Sequence, residues 1–258
     1  MDWMLPFRPL YRAAVNQSGL SRRMLRHLFL QRQLGMGARV LDAGCGSGRL
    51  IRFLNEMGLE ISGFDPDLDA VSRACRRNPE IDIRFLDPGD RLPYSERSFD
   101  LVLARNLPAH RSNLAGREAL WATAHLLASV IPGGELVLVL RTQPHSSAPG
   151  GHLRSCLARH LGVFGSQITV ASIADPIWSR STWRWIRGRQ PRCGYLTATI
   201  RLPLEPKSVQ EWEQIAETAS HWTSDSCCEW TRTQTLNSPD YPETLPMNAT
   251  SKSQRHAA

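Results

Sequence analysis

The stretch Val40-Leu41-Asp42-Ala43-Gly44-Cys45-Gly46-Ser47-Gly48-Arg49-Leu50 decides the fold. An apolar run leads to an acid, three glycines alternate with small residues, and helical periodicity begins at Arg49. This is a strand entering a glycine loop and then a helix. Glycines let the backbone approach a ligand closely, and the helix N-terminus beyond them offers unpaired N–H groups and a positive dipole end to an anion. Spacing narrows the ligand. A dinucleotide loop reads G-x-G-x-x-G/A, whereas here the glycines fall at 44, 46 and 48 and Arg49 occupies the sixth place. Arginine is too large for the close helix-to-strand contact which the third dinucleotide glycine permits, so NAD is disfavoured.

Outward from this loop, strand and helix patterns alternate. Short apolar or β-branched runs lie at Val40 to Ala43, Leu59 to Phe64, Ile81 to Leu86, Phe99 to Ala104 and Leu136 to Leu140. Helical periodicity fills Arg49 to Met57, Leu68 to Arg77 and Leu114 to Val130. The order predicts an α/β fold with a Rossmann-like, doubly wound, parallel sheet and right-handed crossovers. A helix around His152 to Leu161 and strands at Gln167 to Ser172 and Tyr195 to Leu202 would extend the sheet to about seven strands. Before the sheet, Leu20, Met24, Leu25, Leu28 and Phe29 recur at helical spacing, which predicts an amphipathic helix whose apolar stripe packs on the main domain. After it, Ser208 to His221 reads as a further helix, and the polar sequence beyond Thr223 shows no periodicity and is expected to be disordered. The division that follows is a basic helical arm over 1–35, a catalytic or binding domain over 36–202, a helix over 203–222 and a tail over 223–258.

Three further elements give the loop its context. Asp65 ends the second strand in Ser62-Gly63-Phe64-Asp65-Pro66-Asp67, where a strand-end carboxylate grips ribose hydroxyls in nucleotide-binding α/β folds. The run Phe85-Leu86-Asp87-Pro88-Gly89-Asp90-Arg91-Leu92-Pro93-Tyr94-Ser95-Glu96-Arg97-Ser98-Phe99-Asp100 leads into the fourth strand, and Ile131-Pro132-Gly133-Gly134-Glu135-Leu136 turns into the fifth. Together these resemble the class I S-adenosylmethionine-dependent methyltransferases, nearest to the broad group that includes small-molecule methyltransferases. In that family an acid precedes G-x-G-x-G, an acid follows the third strand, Leu-Pro-aromatic and Phe-Asp open the fourth strand, and Pro-Gly-Gly turns into the fifth. Leu92 to Asp100 match residue for residue. The acid is displaced, since Asp87 stands one place too far from Leu92 and Asp90 two places too near. The resemblance covers residues 40 to 140. It implies a seven-stranded sheet with the last strand antiparallel, S-adenosylmethionine as cofactor, and Asp42, Gly44, Cys45, Gly46, Gly48 and Asp65 at the cofactor site. For the adenine amino group it points to Asp87, with Asp90 the alternative.

Composition removes other chemistries. Of 31 basic residues only Lys207 and Lys252 are lysines. Neither follows a glycine as in a phosphate-binding Walker loop, and neither sits on a core pattern as a Schiff-base lysine would. The six cysteines form no C-x-x-C pair, so no metal site is expected and the thiols read as reduced. No run of eighteen apolar residues exists, and Met1 to Leu10 carries Asp2 and two prolines where a signal peptide would be apolar. A cytoplasmic protein without a membrane span is the expectation. Net charge is +7, and residues 1 to 39 hold seven arginines against one acid.

Several residues admit two readings. Asp42 either contacts the ligand or caps the loop through backbone N–H groups. Cys45 is a small filler in the loop, with no chemistry of its own assigned. His110 follows the fourth strand, where the family places groups facing the methyl acceptor; it is the candidate general base, against the alternative of an exposed loop histidine. Trp178, Arg180, Trp183, Arg184, Trp185, Arg187, Arg189 and Arg192 interleave aromatics with guanidinium groups. They suit either base stacking and phosphate contact or an insertion covering the sheet end. The expected activity is methyl transfer to a small molecule. The rivals are an RNA methyltransferase using the basic arm and the Trp/Arg segment, and a module that binds cofactor or protein without catalysis.

Overall fold

A computed structural model describes residues 22–30, 32, 34–87, 90–141, 150–173, 195–203, 205 and 207–220. Most of the basic arm, the Trp/Arg segment 178–192 and the tail 223–258 lie outside the described residues. A short helix α1 (Arg22–Leu25) passes into a π-helical turn (Arg26–Leu30), after which β1 (Arg39–Ala43), α2 (Arg49–Glu56), β2 (Glu60–Asp65), α3 (Leu68–Arg77) and β3 (Asp82–Phe85) follow. Then come β4 (Phe99–Arg105), α4 (Pro108–Ser112), α5 (Arg117–Ala128), β5 (Val130–Arg141), α6 (Gly150–Gly162), β6 (Ile168–Ile173), β7 (Tyr195–Arg201) and α7 (Val209–Ser220).

The seven strands form one sheet in the order β3-β2-β1-β4-β5-β7-β6. β1 to β5 pair in parallel, and β7 inserts antiparallel between β5 and β6. The α/β class, the strand number and the antiparallel last strand are those expected. Side chains of β4 show why the sheet carries helices on both faces. Leu101 and Leu103 join one apolar cluster with α1, α2 and α3, while Val102 and Ala104 join another with α5, α6 and α7. A strand buried on both sides reads as a continuous apolar run, as Leu101 to Ala104 does. The Pro132-Gly133-Gly134 turn falls inside β5. The β4–β5 register slips between Phe99 and Leu101, so these residues form a bulge. A Cβ on Gly134 would lie 2.9 Å from the Asp100 carbonyl oxygen, which leaves glycine as the residue that fits.

The apolar stripe before the sheet packs as its spacing predicts: Met24, Leu25, Leu28 and Phe29 are at most 3% exposed. Arg32, which the helical spacing places on the face turned away from the stripe, is instead 10% exposed and fastens that segment. Its Nε donates to Glu135 Oε2 at 2.6 Å, its Nη2 donates to Thr199 Oγ1 at 2.9 Å, and its Nη1 donates to the carbonyls of His27 and Leu28. His27 Nε2 is also 3.1 Å from Thr197 Oγ1. One guanidinium thus satisfies two carbonyls at the end of the π turn while it binds β5 and β7. Arg32→Ala should cost about 1–3 kcal/mol, because Glu135 keeps some solvent while the carbonyls lose their donor. Urea unfolding measures this; an unchanged midpoint would show that the apolar stripe alone holds the segment.

Candidate functional site

The strand order reverses between β1 and β4, and the crevice beyond the carboxyl ends of such strands is where open α/β sheets bind ligands. The glycine loop lies there. Gly44 has φ +80° and its Cβ would stand 2.3 Å from the Arg105 carbonyl oxygen, so a side chain is excluded by the backbone of β4. Gly48 is held from the other side: its Cβ would be 2.5 Å from Asn78 Nδ2, and that amide donates to the carbonyls of Gly48 and Ala74. Arg77 donates to the Ser47 carbonyl beside it. Gly46 differs from both. A Cβ there would meet nothing within 4 Å, so the loop is open at this position. α2 begins at Gly48 with no side-chain cap, leaving its dipole end available to an anion.

Asp65 closes β2 beside the loop. Its Oδ2 accepts from the Gly46 backbone N–H at 2.7 Å and its Oδ1 accepts from that of Asp67 at 3.0 Å. Burial raises its pKa above the ordinary carboxylate value, and the two backbone donors oppose the shift. The carboxylate therefore sits partly desolvated at the loop, with lone pairs left for further donors. Cys45, 3% exposed, has its thiol pushed up by burial and then by Asp42 and Asp65, which makes it an inert filler.

An apolar cleft continues from the end of β2, between the loops after β3 and β4 and one face of α5. Phe64, Pro66, Leu86, Leu92, Leu107 and Trp121 line it, and Asp87 and Asp90 both stand at its edge. The Asp90 N–H donates to the Asp87 carbonyl at 3.1 Å, so the displaced acids share one turn and their alternation is not decided by position. The matched Leu92-Pro93-Tyr94 run has a visible task. Tyr94 donates its hydroxyl to the Gly63 carbonyl at 2.8 Å and meets the Phe99 ring edge-on at 5.5 Å, pinning the crossing from β3 to β4 against β2.

Two expectations need correction. Asp42 is fully buried and does not face the crevice. Both of its oxygens accept from Arg105, Oδ1 from Nε and Oδ2 from Nη2, each at 2.6 Å. Its carboxylate is engaged in a bidentate pair with the end of β4, which supports the loop from below in place of a cap on the loop's backbone N–H groups. Arg105 was missed in the sequence, although a lone arginine ending an apolar strand beside a strand that ends in an acid is a readable signal. His110 is the second correction. It is neither an exposed loop residue nor placed toward an acceptor, because Pro108 starts the short helix α4 and turns the ring inward, to 1% exposure.

In that interior position His110 Nε2 lies 2.9 Å from Thr123 Oγ1, which lies 2.7 Å from His160 Nε2. His160 Nδ1 donates to the Leu114 carbonyl at 2.6 Å. The Thr123 hydroxyl also lies 2.9 Å from the Ala119 carbonyl, so its one proton is divided between that carbonyl and Nε2 of a neutral His160 protonated on Nδ1, while its oxygen accepts from His110. Burial, with the neighbouring His160 adding to it, lowers the pKa of His110 to about 3, and burial lowers that of His160 to about 4. Such a ring is a poor base for a reaction near neutrality.

The chain's segment 40–134 matches the model of the methyltransferase domain family. Over 114 residues the chain is 37% identical to the ribosomal protein L11 methyltransferase of Ralstonia nicotianae, a match covering 43% of this chain and 34% of that protein. It is 31% identical to the demethylmenaquinone methyltransferase of Renibacterium salmoninarum, over 42% of this chain and 43% of that protein. The chain thus spans less than half the length of these curated relatives. In fold it is similar to phosphoethanolamine N-methyltransferase 2 of Haemonchus contortus in complex with phosphomonomethylethanolamine and S-adenosylhomocysteine. The TM-score is 0.51 at 14% identity, over 74% of this chain and 52% of that one.

The histidine pair predicts an acid-labile fold. Both folded pKa values lie below the unfolded value of about 6.5. Above that pH neither ring contributes. As pH falls below it the unfolded chain takes up protons that the folded chain refuses, and stability drops until pH nears the folded values. The loss should be on the order of 1 kcal/mol per pH unit per histidine between pH 6 and pH 4. Urea unfolding across that range should show it, with a shallower slope in His110→Gln/His160→Gln. Equal slopes in both proteins would contradict the assignment.

Proposed function

We propose that the protein, whose segment 40–134 matches the methyltransferase domain family, is a class I S-adenosylmethionine-dependent methyltransferase that transfers a methyl group from this cofactor to a small-molecule acceptor. The observation that carries the reading is the open side of Gly46 next to the partly desolvated Asp65, at the point where the strand order reverses. An open glycine in the loop and a carboxylate suited to two ribose hydroxyls fit this cofactor. When bound, the cofactor supplies a methyl carbon made electrophilic by the sulfonium. The chain's residues bind and orient. The N–H groups opening α2 receive the cofactor's carboxylate, Asp65 accepts from the ribose, and Asp87, or Asp90 in its place, accepts from the adenine amino group within the apolar cleft. Asp42 and Arg105 hold the loop in shape from beneath. No protein base is assigned, since alignment of nucleophile and methyl carbon supplies much of the acceleration in such a transfer.

The small-molecule acceptor is supported by the relative named for demethylmenaquinone, and a protein acceptor by the relative named for ribosomal protein L11. The RNA alternative draws on segments outside the described residues. A cytoplasmic setting belongs to the same reading; among the described residues no helix is long and apolar enough to cross a membrane.

Incubation with methyl-labelled cofactor and a cell extract tests the proposal. Label is expected in the small-molecule fraction; label in protein or RNA would overturn the acceptor class, and no incorporation would contradict the transfer itself. Asp65→Ala should weaken cofactor binding by about 1–3 kcal/mol, the cost of stranding the ribose hydroxyls. A folded variant with unchanged affinity in calorimetry would remove Asp65 from the site.

A further inference from the structure

The helix α7 lies after the last strand and outside the segment that matches the methyltransferase model, yet it reaches the cleft wall. Two of its carboxylates, one helical turn apart, each take hold of one ring on α5. Glu213 Oε1 lies 3.0 Å from His125 Nε2, and Glu217 Oε2 accepts from the Trp121 indole N–H at 3.2 Å. Those two rings meet edge-on at 5.5 Å and together form the α5 face of the cleft. Glu213 does more, because its Oε1 also accepts from Arg91 Nη2 at 3.1 Å, and Arg91 stands between Asp90 and Leu92 on the facing wall. A single carboxylate thus joins both walls of the cleft. Its own support is apolar: the neighbouring Trp212 and Ala216 are buried, with Trp212 against Phe164. Glu217 is fixed further by Arg117 Nε at 3.1 Å.

We propose that Glu213 and Glu217 are positioning residues which set the width of the adenine cleft by orienting His125 and Trp121, making α7 a working part of the cofactor site. The inference rests on the S-adenosylmethionine reading above. A ring held by a charged acceptor loses less rotational freedom when a flat base slides against it, so removing the acceptor weakens binding at the base without touching the loop that holds the other end. Each residue therefore acts on the adenosine portion of the ligand alone.

Calorimetric titration of S-adenosylhomocysteine and of 5′-methylthioadenosine, which keeps the adenosine and lacks the amino-acid portion, tests this in the full chain. Glu213→Ala should weaken both ligands by the same factor, about tenfold. Glu213→Gln, whose amide oxygen still accepts from His125, should restore affinity to within about threefold of the wild type. Glu217→Ala, at a more exposed position, should keep the fold and weaken both ligands by a few fold, a second test should Glu213→Ala fail to fold. Variants that fold and bind both ligands as the wild type does would overturn the inference, as would a loss confined to S-adenosylhomocysteine. A wild-type protein that binds neither ligand would instead contradict the cofactor reading, and this inference with it.

Discussion

The buried pair of Asp42 and Arg105 is the constraint on which the site depends. A carboxylate with no solvent exposure, near the end of β1, is tolerable only when donors meet it, and Arg105 supplies two in fork geometry. Removing either partner would leave a charge unpaired in the interior, at a cost of about 3–5 kcal/mol. The same arginine works through its backbone as well, since its carbonyl oxygen lies where a side chain on Gly44 would be. One residue at the tip of β4 thereby fixes both the acid before the loop and the first glycine within it. The loop's path, the open face at Gly46 and the approach of Asp65 follow from that anchoring at the point where strands diverge.

Bracing elements then close in from outside the core. On one face the segment before β1 is held by its apolar stripe and by Arg32, which ties it to β5 and β7. On the other, α7 rests on α5 and α6 through Trp212, Ala216 and Ala219 while its acids hold the rings of α5. Asn78 supports the loop from the end of α3, so a side chain on the third glycine would collide with a neighbouring helix.

The fold was legible because its signals are local. Alternating apolar runs and helical periodicity gave the strands and crossovers, and the glycine spacing separated this loop from a dinucleotide one. The site was legible in part. The places of Gly46 and Asp65 followed from loop and strand end, but the true partner of Asp42 lies 63 residues away, and its signal, an arginine closing an apolar strand, shows only once the two strands are set side by side. His110 misled for a related reason. Following a strand it looked like a loop residue facing the crevice, whereas the partners that bury it, Thr123 and His160, come from two later helices. Asp87 and Asp90 stay equivalent because both stand on the same turn at the cleft edge.

A G-x-G-x-G loop with Asp65 beside it should accept S-adenosylmethionine and its demethylated product in preference to a dinucleotide. Side-by-side calorimetry of S-adenosylhomocysteine and NAD with the intact protein tests it most directly. S-adenosylhomocysteine should bind with a Kd of micromolar order and NAD should give no saturable heat. Tighter binding of NAD would contradict it.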